Sequence, residues 1–376
     1  MRCLHTLSDW KWTGPAEPVV SLCEALAAAG IDVVLAFRRA PADFRERTVG
    51  KEAGRRGVPS YDGLRLNRYF SVRDWLFDMR AIGRLAVERK IDIVHTHLTH
   101  DHAMAALSFF GRRNRPLLVR TDHKRDGLDA GPAMKRLLAR TDGLAAYGAG
   151  ILARDVERFT FPAERTVLLP PGVHVYDGPA ADVRAALGIA PDDLVIGVIG
   201  RLKPDRGYDR ILGAFKRLRG RMGKVKLVIV GRSSQIEESV KKPLAALGLA
   251  SDVILAGYRL EDYFSVIAAF DLFVMMRAGS DGTARALREA MGMGKPAVVS
   301  DRGMLPELVR DGYNGFVAAD EQVLAARMEQ VLSDGPLRER LGANARKTAC
   351  EDWDYKVQAE KLAHFYEKLM GIGKRG

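Results

Sequence analysis

Short apolar runs rich in β-branched residues alternate with segments of helical period along almost the whole chain. A parallel strand buried beneath helices on both faces has no polar side, so it reads as one apolar stretch rather than as an alternation. Runs of this kind stand at 2–6, 32–37, 91–95, 116–121, 143–147 and 166–169, with helical segments at 15–29, 74–88, 101–110, 132–140 and 151–159 between them. The stretch "LPPGVHVYDGPAA" then breaks the rhythm with three prolines and two glycines and reads as a linker. The alternation restarts with strands at 194–199, 226–230, 252–255, 271–275, 296–300 and 315–317, and with helices near Tyr208, Ser234, Leu260, Thr283, Met304 and Glu321. A chain of 376 residues exceeds what one core usually supports. The expectation is an α/β protein of two Rossmann-like doubly wound domains, 1–175 and 176–355, facing a cleft, followed by an amphipathic helix at 356–376. In that helix Val357, Leu362, Phe365, Tyr366 and Leu369 are spaced to face a core.

Charge narrows the partners. Of the net +12, eight charges lie in residues 1–175, and the densest basic stretch is "FRRAPADFRERTVGKEAGRR" at 37–56. That stretch reads either as a solvated loop and helix face or as a patch for an anionic membrane surface or an acidic acceptor. No zinc-finger, helix-turn-helix or aromatic RNA-binding pattern accompanies it, so nucleic acid is not expected. The start "MRCLHTLSDWKW" lacks an apolar core before its first charges, and runs such as "VIAAFDLFVMM" are short and interrupted by Asp271, so neither a signal peptide nor a membrane span is expected. Cys3, Cys23 and Cys350 are odd in number and lack metal-ligand spacing, which suits buried free thiols in a reducing cytosol.

Two stretches carry the chemistry. "GRLKPDRG" at 200–207 stands where a strand hands over to a helix, a place with free backbone N–H groups and the positive end of a helix dipole. Arg201 and Arg206 add two permanent charges able to fork onto phosphate oxygens, although Arg and Gly at such a turn also make a simple capped loop. Lys203 reads as solvent-facing. "SDGTARALREAMGMGKPAVVS" follows the strand at 271–275, with Asp281 in the loop and Glu289 two helical turns on. The carboxylates suit sugar hydroxyls and the N–H groups of Gly282, Thr283 and Ala284 suit phosphate; the plainer readings are an N-cap for Asp281 and a solvated helix residue for Glu289. His123 in "RTDHK" reads as a satisfied loop or core histidine when taken alone. His95, His97, His100 and His102 invite a zinc reading, but no closed ligand set emerges, so no metal is expected.

The succession "GRLKPDRG", "LVIVGRSS", "VILAGY" and "DLFVMMRAGSDGTARALREAMGMGKPAVVSDRGMLPELVRDGYNGFV" resembles the C-terminal half of family 4 glycosyltransferases, retaining enzymes of the GT-B fold that use nucleotide sugars. The first half is similar more weakly, through "TGPAEPVVSLCEALAAAGIDVVLA", "IDIVHTH", "LLVRTDH" and "VLLPPGV". The resemblance implies that Arg201 and Arg206 hold the donor diphosphate, that Glu289 binds the ribose hydroxyls, and that Asp281 approaches the donor sugar. It implies that His123 reaches the donor sugar near its reacting carbon, that Gly14 permits a close backbone approach, and that the final helix crosses back to the first domain. The chain departs from the family pattern at Asp281, where Glu is usual, at Gly282-Thr283-Ala284 in place of Gly-Phe-Gly, at Thr13-Gly14 in place of a glycine pair, and at Pro171 in place of Asn.

The implied reaction moves a hexosyl unit from a UDP- or GDP-sugar to a sugar or lipid-linked acceptor in glycolipid, lipopolysaccharide or polysaccharide synthesis, with no cofactor and no metal. The expected location is the cytoplasm, or the inner face of the cell membrane as a peripheral protein. An epimerase of the same architecture is the alternative enzyme. A degenerate, non-catalytic nucleotide-sugar-binding protein is the alternative that the departures at Thr13, Pro171 and Asp281 motivate. A dinucleotide oxidoreductase is disfavoured, because "LHTLSDWKWTGPAE" after the first strand lacks the glycine-rich fingerprint.

Overall fold

A computed structural model describes residues 1–12, 14–44, 47–67, 69, 71–124, 127–278 and 284–373. Residues Met1–Gly172 together with Tyr355–Gly376 form one unit, and Val173–Asp354 form the other. The divisions fall slightly earlier than 175 and 355, because the N–H of Val173 donates to Trp353 O at 2.7 Å and holds both crossing segments in the second unit.

The first unit strings together β1 (Arg2–Leu7), α1 (Ala16–Ala28), β2 (Asp32–Phe37), α2 (Val49–Arg55), β3 (Ser60–Tyr61), α3 (Val72–Glu88), β4 (Ile93–Thr96), α4 (Thr99–Ser108), β5 (Leu117–Asp122), α5 (Pro132–Leu138), β6 (Gly143–Ala146), α6 (Ala149–Phe159) and β7 (Thr166–Leu168). Its strands make a parallel sheet of order β3-β2-β1-β4-β5-β6-β7. Within the 37–56 stretch Thr48 caps α2 by accepting from the N–H of Lys51 at 3.2 Å, and β3 follows at 60–61. Two turns of helix and a two-residue strand are too short for periodicity to reveal.

The second unit runs β8 (Leu194–Ile199), α7 (Tyr208–Arg219), β9 (Val225–Val230), α8 (Lys242–Ala246), β10 (Val253–Gly257), α9 (Tyr263–Ala268), β11 (Leu272–Met275), α10 (Arg285–Gly292), β12 (Ala297–Ser300), α11 (Leu305–Leu308), β13 (Gly315–Ala318), α12 (Glu321–Ser333) and α13 (Gly335–Thr348). The parallel order is β10-β9-β8-β11-β12-β13. Successive residues of β8 serve opposite faces, as strand geometry requires: Ile196 and Val198 enter the layer with Phe215 of α7 and Met328 of α12, whereas Val195 enters the layer with Leu287 and Met291 of α10.

The last helix, α14 (Tyr355–Gly373), belongs to the first unit and packs on α1. Leu362, Phe365, Tyr366 and Leu369 are buried with Val19, Leu22 and Leu26, while Val357 is only half-buried. Gly143 opens β6 because a Cβ there would stand 2.6 Å from Leu369 Cδ1 and 3.0 Å from Phe365 Cζ. Cys3 and Cys23 are free and buried, and Cys350 is free and half-buried. Among the described residues no helix is long and apolar enough to cross a membrane.

Candidate functional site

Both sheets reverse their strand order once, between β1 and β4 and between β8 and β11. In open α/β sheets the crevice beyond the carboxyl ends at such a point is where ligands bind. Of the residues singled out from sequence, Gly14, His123, Gly200, Arg201, Arg206 and Ala284 follow the carboxyl ends of strands at these two edges.

In the second unit Gly200 and Arg201 leave β8, a short turn spans Pro204–Arg206, and Gly207 (φ +77°) starts α7. Arg201 is exposed and Arg206 is half-buried. The Arg206 guanidinium donates through Nη1 to Ala278 O, which ties the loop after β8 to the loop after β11. Lys203 is half-buried rather than solvent-facing. A small cavity of about 30 Å³ lies here, lined by Gly200, Arg201, Arg206, Tyr208, Met276 and Arg277. Gly231 (φ +152°) follows β9 and supports the same loop, since a Cβ there would lie 1.9 Å from Gly200 O.

Asp281, Gly282 and Thr283 lie outside the described residues. Ala284 precedes α10 in a left-handed conformation (φ 37°, ψ 41°), a geometry that strains any residue with a Cβ by about 1–3 kcal/mol. The N–H groups at the start of α10 have no acceptor within the helix, as at every helix start. Glu289 is buried, not solvated: it accepts from the Tyr263 hydroxyl at 2.5 Å and from Arg285 Nε at 2.7 Å. Burial, reinforced by the Glu289 charge, pushes the Tyr263 phenol well above its ordinary range, so it remains a donor. Each carboxylate oxygen keeps a further lone pair for a ligand hydroxyl. Tyr263, Arg277 and Arg285 were not singled out from sequence. Their only signal is position, at or just after the carboxyl ends of β10 and β11.

In the first unit Gly14 occupies an exposed turn before α1. The four histidines of 95–102 do not form one cluster: His102 Nε2 pairs with Thr141 Oγ1 at 2.8 Å, and His100 stands edge-on to Trp75. Instead His95 and His97 share one sheet face with His5, which lies in register with His95 across β1 and β4. Their ring nitrogens fall within 4.8 Å of one another. Every one already has a protein partner. His123 Nε2 is hydrogen-bonded to His97 Nδ1 at 3.0 Å, and His97 Nε2 to His5 Nδ1 at 3.0 Å. His5 Nε2 meets the Tyr366 hydroxyl at 3.2 Å, which meets His95 Nδ1 at 2.5 Å, and His95 Nε2 meets Thr121 Oγ1 at 2.6 Å. Burial lowers the pKa of His5 to about 3 and those of His95 and His97 well below the histidine range, so the rings are neutral. A neutral ring has one donor and one acceptor, and the phenol has one proton. The chain therefore runs with a single polarity from Tyr366 to His123, whose Nδ1 is enclosed and has no hydrogen-bond partner among the described residues.

Carboxylates organise the surroundings. Asp101, fully buried, accepts from the N–H groups of His97 and Leu98 and from the Ser8 hydroxyl at 2.7, 3.0 and 2.9 Å, which fixes the turn after β4. Asp122, immediately before His123, is pushed up by burial and interacts with Asp155. A cavity of about 340 Å³ opens at the end of β2, lined by Trp10, Phe37, Arg38, Arg39, Thr48 and Asp62.

Two Rossmann-like units with polar residues gathered at each switch point, and a final helix returned to the first unit, define the GT-B glycosyltransferase architecture. The chain belongs to the family 4 glycosyltransferases: residues 13–176 match the model described as Glycosyltransferase Family 4, and residues 180–348 the model described as Glycosyl transferases group 1. It is 34% identical over 171 residues to the lipopolysaccharide 1,2-N-acetylglucosaminetransferase of Salmonella typhimurium, covering 42% of this chain and 44% of that protein. It is 30% identical over 209 residues to a GDP-mannose-dependent phosphatidylinositol monomannoside mannosyltransferase of Mycolicibacterium smegmatis, covering 52% and 54%. The chain thus spans about half the length of the curated relatives it matches. The fold is shared with a Rickettsia africae glycosyltransferase (TM-score 0.82, 15% identity, 98% of each chain) and with Anabaena HepE in complex with UDP and glucose (TM-score 0.73, 20% identity, 98% and 99%).

Proposed function

We propose that this chain transfers a hexosyl unit from a UDP- or GDP-sugar to a sugar or lipid-linked acceptor, with retention at the anomeric carbon, at the cytoplasmic face of a membrane. The observation that carries the reading is the bond from Arg206 to Ala278 O, which draws two loops together at the β8/β11 switch point beside exposed Arg201. The UDP and glucose held by Anabaena HepE and the donor named for the Mycolicibacterium relative support a nucleotide-sugar donor. The Salmonella relative supports an acceptor of lipopolysaccharide type.

In this reading the bond between the anomeric carbon and the diphosphate oxygen breaks while the acceptor oxygen bonds that carbon from the same face. The acceptor proton passes to the leaving diphosphate. Negative charge grows on the diphosphate, and Arg201, Arg206 and the N–H groups of Gly282, Thr283 and Ala284 meet it, which lowers the barrier to its departure. Glu289 receives ribose hydroxyls, Asp281 orients the sugar, and His123 stands beside the donor sugar near its reacting carbon. Gly14 leaves space for the substrate to approach the backbone.

The test is release of nucleoside diphosphate from UDP- and GDP-sugars. Arg206→Ala removes a charged contact made to the leaving group and is expected to lower kcat/KM about 10- to 100-fold. Turnover within a factor of about two of the parent would remove the diphosphate role.

A further inference from the structure

The outward face of α3 combines protruding apolar side chains with arginines that no acid neutralises. Val72, Leu76 and Phe77 are 58%, 44% and 39% exposed, and Tyr69, just before the helix, is 77% exposed. Arg73, Arg80 and Arg84 are exposed on the same face by helical spacing, and among the described residues none of the three makes an ion pair. The opposite face is committed to the core, with Ile82, Leu85 and Ala86 packed alongside Leu64 and Leu66. Asp74, in the first turn, is already tied to Arg65 at 2.5 Å and to Asn67 at 3.0 Å, and exposed Glu88, one turn after Arg84, forms no ion pair with it among the described residues. The loop after α4 extends the patch, since Arg112 rests against Gly83 and Phe110 is 61% exposed.

The basic stretch picked out from sequence, 37–56, is different. Arg47, Arg55 and Arg56 converge on Glu52, and Arg39 pairs with Asp62. Four of its arginines are thus held by acids of the protein.

We infer that α3 is the surface by which this chain lies on an anionic lipid bilayer. Unpaired guanidinium groups meet lipid phosphates while Val72, Leu76 and the aromatic rings enter the boundary between headgroups and acyl chains. Because α3 follows β3, its N-terminal turns stand at the carboxyl-end edge of the first sheet, the edge that also holds His123 and the Trp10–Arg39 cavity. A lipid-linked acceptor anchored in that bilayer would reach this edge without leaving the surface. The inference deepens the reading above and rests on its acceptor being lipid-linked.

The experiment is flotation of the full chain with phosphatidylcholine vesicles, with and without about one-third phosphatidylglycerol, across a range of salt. Binding is expected only to the anionic vesicles and to weaken with salt. Arg73→Glu/Arg80→Glu/Arg84→Glu is expected to lower partitioning about tenfold or more, and Val72→Ser/Leu76→Ser to lower it with the salt dependence retained. Arg38→Glu/Arg39→Glu is expected to leave it nearly unchanged. Circular dichroism of each variant checks the fold. Unchanged partitioning in the α3 variants, equal loss in the Arg38/Arg39 variant, or no binding to anionic vesicles overturns the proposal. So does a wild-type dimer that Val72→Ser/Leu76→Ser makes monomeric, which would give the face to a second copy. Nucleoside diphosphate release, measured without vesicles, separates this outcome from failure of the transferase reading.

Discussion

Tyr366→Phe removes one oxygen and little else, and the structure sets what that oxygen is worth. The ring is fully buried between α1 and the sheet, and phenylalanine preserves its packing. The hydroxyl is the partner of His5 Nε2 at 3.2 Å and of His95 Nδ1 at 2.5 Å, one of which it serves as donor and the other as acceptor. Both rings are fully buried, so two polar nitrogens lose their partner with no water to replace it. At about 1–3 kcal/mol for each unsatisfied group, the loss should be about 2–5 kcal/mol. Hydrogen exchange at neutral pH reads it directly: protection of the β1 and β4 amides should fall about thirtyfold or more. The β9 amides of the second unit serve as the internal reference and should be unaffected. A fall of less than about threefold in β1 and β4 would mean that the imidazoles re-pair without the phenol, and the reasoning about a single hydrogen-bonded chain would be wrong.

Arg206→Lys keeps the charge but lacks the fork needed to hold Ala278 O and a phosphate together, so its kcat/KM should fall between those of the parent and Arg206→Ala in the same release assay. Gly231→Ala should cost about 2 kcal/mol or more in thermal unfolding of the second unit and weaken nucleotide binding, because the new methyl collides with Gly200 O. Asp122→Asn should change the pH dependence of stability. Burial raises the folded carboxyl above its ordinary value of 3.8, so the unfolded chain releases a proton that the folded chain keeps, and stability is lost as pH rises through that window. The variant should therefore match the parent near pH 4 and exceed it by about 2–4 kcal/mol near pH 8; a constant difference across thermal melts at these pH values would contradict this.

Much of the fold was legible because strands covered on both faces leave an unmistakable apolar run, a rule that β8, β9, β11 and β12 follow, while the edge strand β10 is apolar although Leu255 is exposed. The positions of Arg201, Arg206 and Glu289 at one edge followed from it. What sequence could not supply were contacts made across strands. His5 was passed over because nothing local marks it; only the register of β1 with β4 brings it beside His95 and His97. Tyr366 looked like another core residue of an amphipathic helix, and its hydroxyl acquires meaning only from the histidines beneath it. The pairing of charge in 37–56 is likewise invisible in the sequence: Glu52 lies within the stretch, but convergence of three arginines on one carboxylate is a tertiary fact.

The claim on which the functional reading turns is that the β8/β11 edge seats the donor diphosphate. A crystal structure of the chain with UDP or GDP decides it. The phosphates are expected within hydrogen-bond reach of Arg201, Arg206 and the amides that open α10; phosphates bound away from that edge, with those arginines left to solvent, would contradict the account.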